Sequence, residues 1–190
     1  MVFTDEKCLR NFSNSKVRVW RERGTALDEE NVITNPNKRR ISINLWGYIA
    51  PEGFGRIFWA PKKMKSIDYM QILYDFLNDY DMTGKVLMQD NASIHGTALI
   101  KQLMKEERLN VLKWPARSPD LNPIENCWSL MQRMVDKEAL KRGGINSEAE
   151  LFDVAQQSFS KISNQTISNL YSSMKDRLTE VQFRKGGIVR

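Results

Sequence analysis

The stretch KVLMQDNASIHGTALIKQLMKEERLNVLKW, residues 85–114, decides how the chain folds. Its opening, Lys85 to Gln89, is short and apolar enough for a buried strand, and it delivers Asp90 at the strand's C-terminal end. A helix from about Thr97 to Glu107 follows, and Leu109 to Trp114 is the next strand. A strand, a crossover helix and a strand place the segment before Asp90 parallel to a neighbour.

Upstream, Val2-Phe3-Thr4 is expected to be the end of a strand cut short at its start, closed by Asp5 with a charged turn behind it. Residues 21–40, RERGTALDEENVITNPNKRR, are polar and turn-rich and predict a long loop or hairpin extension. Ile41 to Trp46 alternates apolar and polar, Gly47 and Pro51 to Gly55 supply a turn, and Arg56 to Trp59 return as the second arm of an antiparallel hairpin. From Ser66, a plausible cap, Ile67, Met70, Leu73, Tyr74 and Leu77 form a helical stripe that ends before Gly84.

Downstream, a Pro-rich connection leads into a helix opened by Pro123, a residue tolerated at a first helical position because its missing N–H had no partner there. Two amphipathic helices follow between about Ser147 and Thr179, one with Leu151, Val154, Ala155 and Phe159, the other with Ile167, Leu170, Tyr171, Met174 and Leu178. A hairpin followed by alternating strands and helices makes an α/β domain with a mixed sheet flanked by helices. Its 190 residues suit one domain with a real core.

Lys plus Arg outnumber Asp plus Glu by 29 to 23, giving a net charge of +6, which suits a polyanionic partner. No stretch approaches the roughly 20 apolar residues of a membrane span, so no membrane partner is expected, and nothing at the start looks like a signal peptide. Cys8 and Cys127 lack metal-ligand spacing and read as free thiols.

Three acids sit where a strand ends or a helix begins: Asp5, Asp90 and Glu125, the last in the first turn of the helix opened by Pro123. A carboxylate near that positive helix end is favoured electrostatically. Converged carboxylates repel one another unless cations lie between them, so a trio meeting at one spot predicts divalent metal.

The words around these acids are specific. MQDNASIH at 88–95 and WPARSPDLNPIENCW at 114–128 resemble two signature blocks of the Tc/mariner superfamily of DDE transposases, and FTDEK at 3–7 resembles the block around its first Asp. The 34 residues between Asp90 and Glu125 match the Tc branch, with Glu in third place. The resemblance continues through LWGYIAPEGFGRIFW at 45–59 and ends with SSMKDRLTEV at 172–181, so it covers nearly the whole chain.

The resemblance implies an RNase H-like fold of the retroviral integrase type. It implies Mg(II) or Mn(II), two ions in all, held by Asp5, Asp90 and Glu125, with Asp5 bridging both. It further implies cleavage of double-stranded DNA at transposon ends, and attack of the freed 3'-hydroxyl on target DNA by a homodimer assembled on that DNA. The substrate is then no small molecule, and the place of action is the nucleus. Transposases of this kind carry helix-turn-helix modules upstream; none occurs within these residues, so the chain is expected to be the catalytic domain alone.

Lys38, Arg39, Arg40, Asn91, His95 and Arg117 are candidate DNA contacts. His95 has a second reading, as a residue fixing the loop after Asp90, and Asn91 as an orienter of Asp90 or a turn former. Asp120 and Asn122 read as shaping and capping the turn before Glu125, and Trp114 and Trp128 as core. Two other functions stand beside the transposase: a transposon-derived remnant that binds DNA or protein without cutting, and an RNase H-like nuclease acting on another nucleic acid.

Overall fold

A computed structural model describes residues 1–12, 21–25, 27–28, 37, 39–115 and 118–184. Five strands form one sheet: β1 (Val2–Arg10), β2 (Ser42–Ile49), β3 (Gly55–Ala60), β4 (Val86–Met88) and β5 (Asn110–Val111), in spatial order β3-β2-β1-β4-β5. The hairpin strands β2 and β3 pair antiparallel, β1 pairs antiparallel with β2, and β1, β4 and β5 run parallel. The sheet is therefore mixed, as the alternation of elements predicts.

The described residues also form six α-helices: α1 (Ser66–Asp79), α2 (Ala98–Glu106), α3 (Ile124–Arg142), α4 (Glu148–Ser160), α5 (Asn164–Ser172) and α6 (Met174–Phe183). Successive side chains of a strand point to opposite faces. Phe3 and Leu9 of β1 with Ile43, Leu45 and Ile49 of β2 pack under α3 and α4. Val2 of β1 with Trp46 and Tyr48 of β2 packs under α1 and α2, against Tyr69, Leu73, Phe76 and Leu103. The core is thus two apolar layers separated by one sheet.

Several expectations are corrected. β1 is a full nine-residue strand and Asp5 lies within it, opposite Gly47. Its charged residues belong to a strand because β2 supplies hydrogen bonds along its whole length, from Phe3 opposite Ile49 to Arg10 opposite Ser42. Gly47 accordingly sits inside β2, not in a turn. The strand predicted over Leu109 to Trp114 shrinks to Asn110 and Val111, and Leu112 extends it by one bond to Leu87 O at 2.9 Å.

On α1 the buried stripe is Tyr69, Ile72, Leu73 and Phe76, while Ile67 is exposed, so aromatic bulk rather than aliphatic spacing sets the inward face. Ser66 is the first helical residue and does not cap; the Asp68 carboxylate accepts the Lys65 N–H at 2.8 Å instead. The last predicted helix is two, because the chain turns at Ser173 between α5 and α6. Of its predicted stripe, Ile167 is buried and Leu178 is exposed. Cys8 and Cys127 are free, as expected. Among the described residues no helix is long and apolar enough to cross a membrane.

Candidate active site

The two acids of β1 face opposite ways. Asp5 shares the α3 face with Phe3 and Leu9, whereas Glu6 shares the α1 face with Val2. Opposite Asp5, Gly47 leaves room for a large side chain: a Cβ there would lie 2.5 Å from the indole edge of Trp128. That indole, wholly buried, donates from Nε1 to Asp5 Oδ2 at 3.0 Å. Burial, with the negative charges of Glu125 and Glu6 nearby, pushes the Asp5 carboxyl up to about 7, and the Trp128 bond pulls the other way.

Asp90 follows β4 by two residues, and its Oδ1 accepts the Ala92 N–H at 2.9 Å. His95 holds it from the other side, with Nδ1 at 2.9 Å from Oδ1 and 3.1 Å from the Asp90 carbonyl. The histidine bond, with that from Ala92, keeps the Asp90 carboxyl below the usual carboxylate range. His95 is buried, its Nε2 lies 3.0 Å from Glu6 Oε1, and its ring rests 4.4 Å from that of Tyr69. Burial alone would strip the imidazole of its proton, but the bonds to Asp90 and Glu6 outweigh it and raise the pKa to about 10.

Glu125 stands in the first turn of α3, with Lys7 Nζ at 3.4 Å from Oε2. The turn before it is sewn to the sheet by Asn122, whose Nδ2 donates to Thr4 O at 3.1 Å and whose Oδ1 accepts the Ile124 N–H at 3.4 Å. Thr4 in turn donates to Met88 O at 2.8 Å, tying β1 to β4. Arg177 of α6 braces the same turn through Asp120 O and Asn126 Oδ1, both at 3.0 Å. Asn122 therefore shapes the turn through its side chain, as read from the sequence, whereas Asp120 is held through its backbone carbonyl and Pro123 stands at the cap position of α3.

Asp5, Asp90 and Glu125 line one open cleft of about 370 Å³ together with Asn91, Trp114 and Asn122. Asn91 donates to Trp114 O at 2.8 Å and fixes the cleft's wall. The closest cluster of potential ligand atoms among the described residues is a different one, Glu6, Asp90 and His95, all within 4.8 Å of one another. In this structure the cluster is a hydrogen-bonded clasp on Asp90, which His95 reaches through Nδ1 while its Nε2 meets Glu6. These bonds tie His95 to the loop that follows β4.

Arg39 and Arg40 are exposed, and the Arg39 carbonyl accepts Asn11 Nδ2 at 2.8 Å. Lys38 and Arg117 lie outside the described residues. Sequence reasoning missed Trp128, Glu6 and Lys7 as neighbours of the acids. Trp128 reads as core because it is core; only the glycine across the sheet signals that its polar end reaches Asp5.

Residues 1–143 match the family described as DDE superfamily endonuclease, and the chain belongs to it. The Tc3 transposase of Caenorhabditis elegans is 31% identical over 186 residues, covering 95% of this chain and 55% of that protein. The Tcb2 transposase of Caenorhabditis briggsae is 27% identical over 191 residues, covering 97% of the chain and 68% of that protein. The chain thus spans about half the length of the Tc3 protein.

Among solved structures, a pre-cleavage Mos1 transpososome superposes with a TM-score of 0.77 at 15% identity, covering 100% of this chain and 56% of that one. The catalytic domain of the Mos1 mariner transposase superposes at 0.68 with 15% identity, covering 100% of this chain and 83% of that one. The fold is that of an RNase H-like transposase catalytic domain.

Proposed function

We infer that the chain is the catalytic domain of a cut-and-paste transposase of the Tc/mariner type, which cleaves double-stranded DNA at transposon ends and joins the freed end to target DNA. The observation that carries this reading is the meeting of Asp5, Asp90 and Glu125, from β1, the β4 exit and the start of α3, in one cleft. Structural neighbours support it: one is a Mos1 strand transfer complex, and others are Mos1 paired-end complexes with Mn and with Mg. The paired-end assemblies also support a pair of subunits acting together on DNA, and on this reading they act in the nucleus.

The donor set fits hard divalent cations. Its oxygens are carboxylates, and the raised Asp5 carboxyl reflects first its burial and then the negative charge of Glu125 beside it. Asp5, Asp90 and Glu125 would hold Mg(II) or Mn(II), two ions by our reading, which would supply charge stabilisation at the phosphorus and an activated oxygen nucleophile. Trp128 orients Asp5 through Oδ2, and the Glu6–His95 pair holds Asp90 Oδ1, so two of the three acids are fixed before any ligand arrives. Asp5, with its carboxyl raised to about 7, would hold a cation in its ionised form.

Mn(II) titrated calorimetrically into the whole chain should bind saturably, and Asp90→Asn and Glu125→Gln, folded by circular dichroism, should lose that binding. The same variants should abolish Mn(II)-dependent cleavage of DNA. Absence of Mn(II) binding by the folded wild-type chain would overturn the reading in favour of a non-catalytic remnant. Preferred cleavage of RNA–DNA hybrids would overturn it in favour of another nuclease.

A further inference from the structure

Beside the catalytic cleft, and sharing Asp90 and Asn91 with it, runs a second groove of about 460 Å³ between α2 and the β5 edge of the sheet. Lys101 and Lys105 line it from α2, one helical turn apart, and Lys113 lines it from the segment after β5. All three are exposed, and none makes a side-chain hydrogen bond or ion pair with another described residue. Other surface cations of the chain are paired: Arg56 with Asp79, Lys62 with Glu148, Lys85 with Glu52 and Arg142 with Glu138. The acids of α2 that follow, Glu106 and Glu107, do not line the groove.

Three unpaired ammonium groups lining one groove, two on a helix and one across from it, favour an anion among them, and three separate cations suit a polyanion better than one small ion. Leu109, Val111 and Leu112 add apolar surface between the lysines, on which sugar or base faces can rest.

We propose that the Lys101–Lys105–Lys113 groove binds the phosphodiester backbone of the nucleic-acid strand flanking the one that reacts, and feeds it toward Asp90. This rests on the reading of the neighbouring cleft as a site acting on nucleic acid. It assigns the contact to α2 and the segment after β5.

The test is the salt dependence of binding, by fluorescence anisotropy of the whole chain with labelled duplex DNA, single-stranded DNA and an RNA duplex, in chelator. Without metal no cleavage occurs, so the outcome is independent of catalysis. The triple variant Lys101→Ala, Lys105→Ala, Lys113→Ala is compared with Lys63→Ala, Lys65→Ala, Lys175→Ala, which removes the same charge elsewhere. Removing one lysine–phosphate pairing lowers the slope of log affinity against log salt by about 0.9 on duplex DNA and about 0.7 on single strands. The groove variant should lower that slope by about 2–3 on duplex DNA, and the control triple should keep most of it.

A larger drop on DNA than on RNA names DNA as the occupant, and the reverse names RNA. Equal slopes for the two triples, or wild-type binding without salt dependence, would overturn the proposal. If the groove result holds while the wild type fails to cleave DNA with Mn(II), the catalytic reading falls and the groove stands.

Discussion

At the scale of single residues, two protons set the electrostatics of the site. The Asp5 carboxyl titrates near 7 against 3.8 for an ordinary Asp, and His95 near 10 against 6.5. In both cases the folded chain holds a proton that the unfolded chain has released, so stability falls as pH rises across each window. For the metal-free chain the first window runs from pH 3.8 to about 7 and the second from 6.5 to about 10. Asp5→Asn should flatten the first and raise the melting temperature at neutral pH, and His95→Gln should flatten the second. Thermal melts across pH check both, and unchanged slopes in the two variants would refute the assignment. Removing a carboxylate that burial penalises stabilises the protein while destroying its site, a common trade between stability and activity.

At the scale of elements, the site depends on a gap in β2. Gly47 lies on the same face as Ile43, Leu45 and Ile49, and an alanine there would push the Trp128 indole off Asp5. Gly47→Ala should cost about 1–3 kcal/mol, the usual range for overpacking, and weaken Mn(II) binding. In a Trp128→Phe background the smaller ring should leave Gly47→Ala much less costly, so a double-mutant cycle with no coupling would argue against the contact.

The same glycine shows where the sequence is legible and where it is not. Asp90 after a short apolar run and Glu125 after Pro123 are readable because local signals, a strand end and a helix start, coincide with the family words. Gly47 reads as a turn because a glycine carries no mark of the ring that fills its place from 81 residues further on. Likewise Asp5 reads as the end of its strand and Glu6 and Lys7 as the turn behind it, since their strand character comes from β2 pairing and not from their own propensity. The α1 stripe is rotated from its predicted face because Tyr69 and Phe76 are buried through contacts with β2 and His95, which periodicity does not register.

At the scale of the molecule, the match to the family ends at residue 143, but the core does not. Leu151, Val154, Phe159, Ile162 and Ile167 belong to the same apolar layer as Phe3, Leu9 and Trp128. At ~1.5–3 kcal/mol for each side chain buried, these five contribute about 8–15 kcal/mol of burial against the entropy of ordering the helices, a large term where net stabilities are only about 5–15 kcal/mol. Tyr171 adds hydrogen bonds to Met1 O at 3.0 Å and Ile49 O at 2.7 Å. A chain ending at Gly143 should therefore fail to show a cooperative melt, whereas residues 1–184 should melt in one transition. A sharp transition in the shorter chain would show that the later helices are accessory.

The position of β1 at the centre of the sheet also governs when the enzyme comes into being during synthesis. Every strand that pairs with it, the helix that brings Glu125, and the layer that closes over Trp128 all leave the ribosome after it. Long-range pairing of this kind is slow, because distant segments must meet before any contact rewards them. A nascent or interrupted chain therefore carries Asp5 and even Asp90 without an assembled cutting centre. On the proposed reading, unfinished copies would therefore be unable to cut DNA.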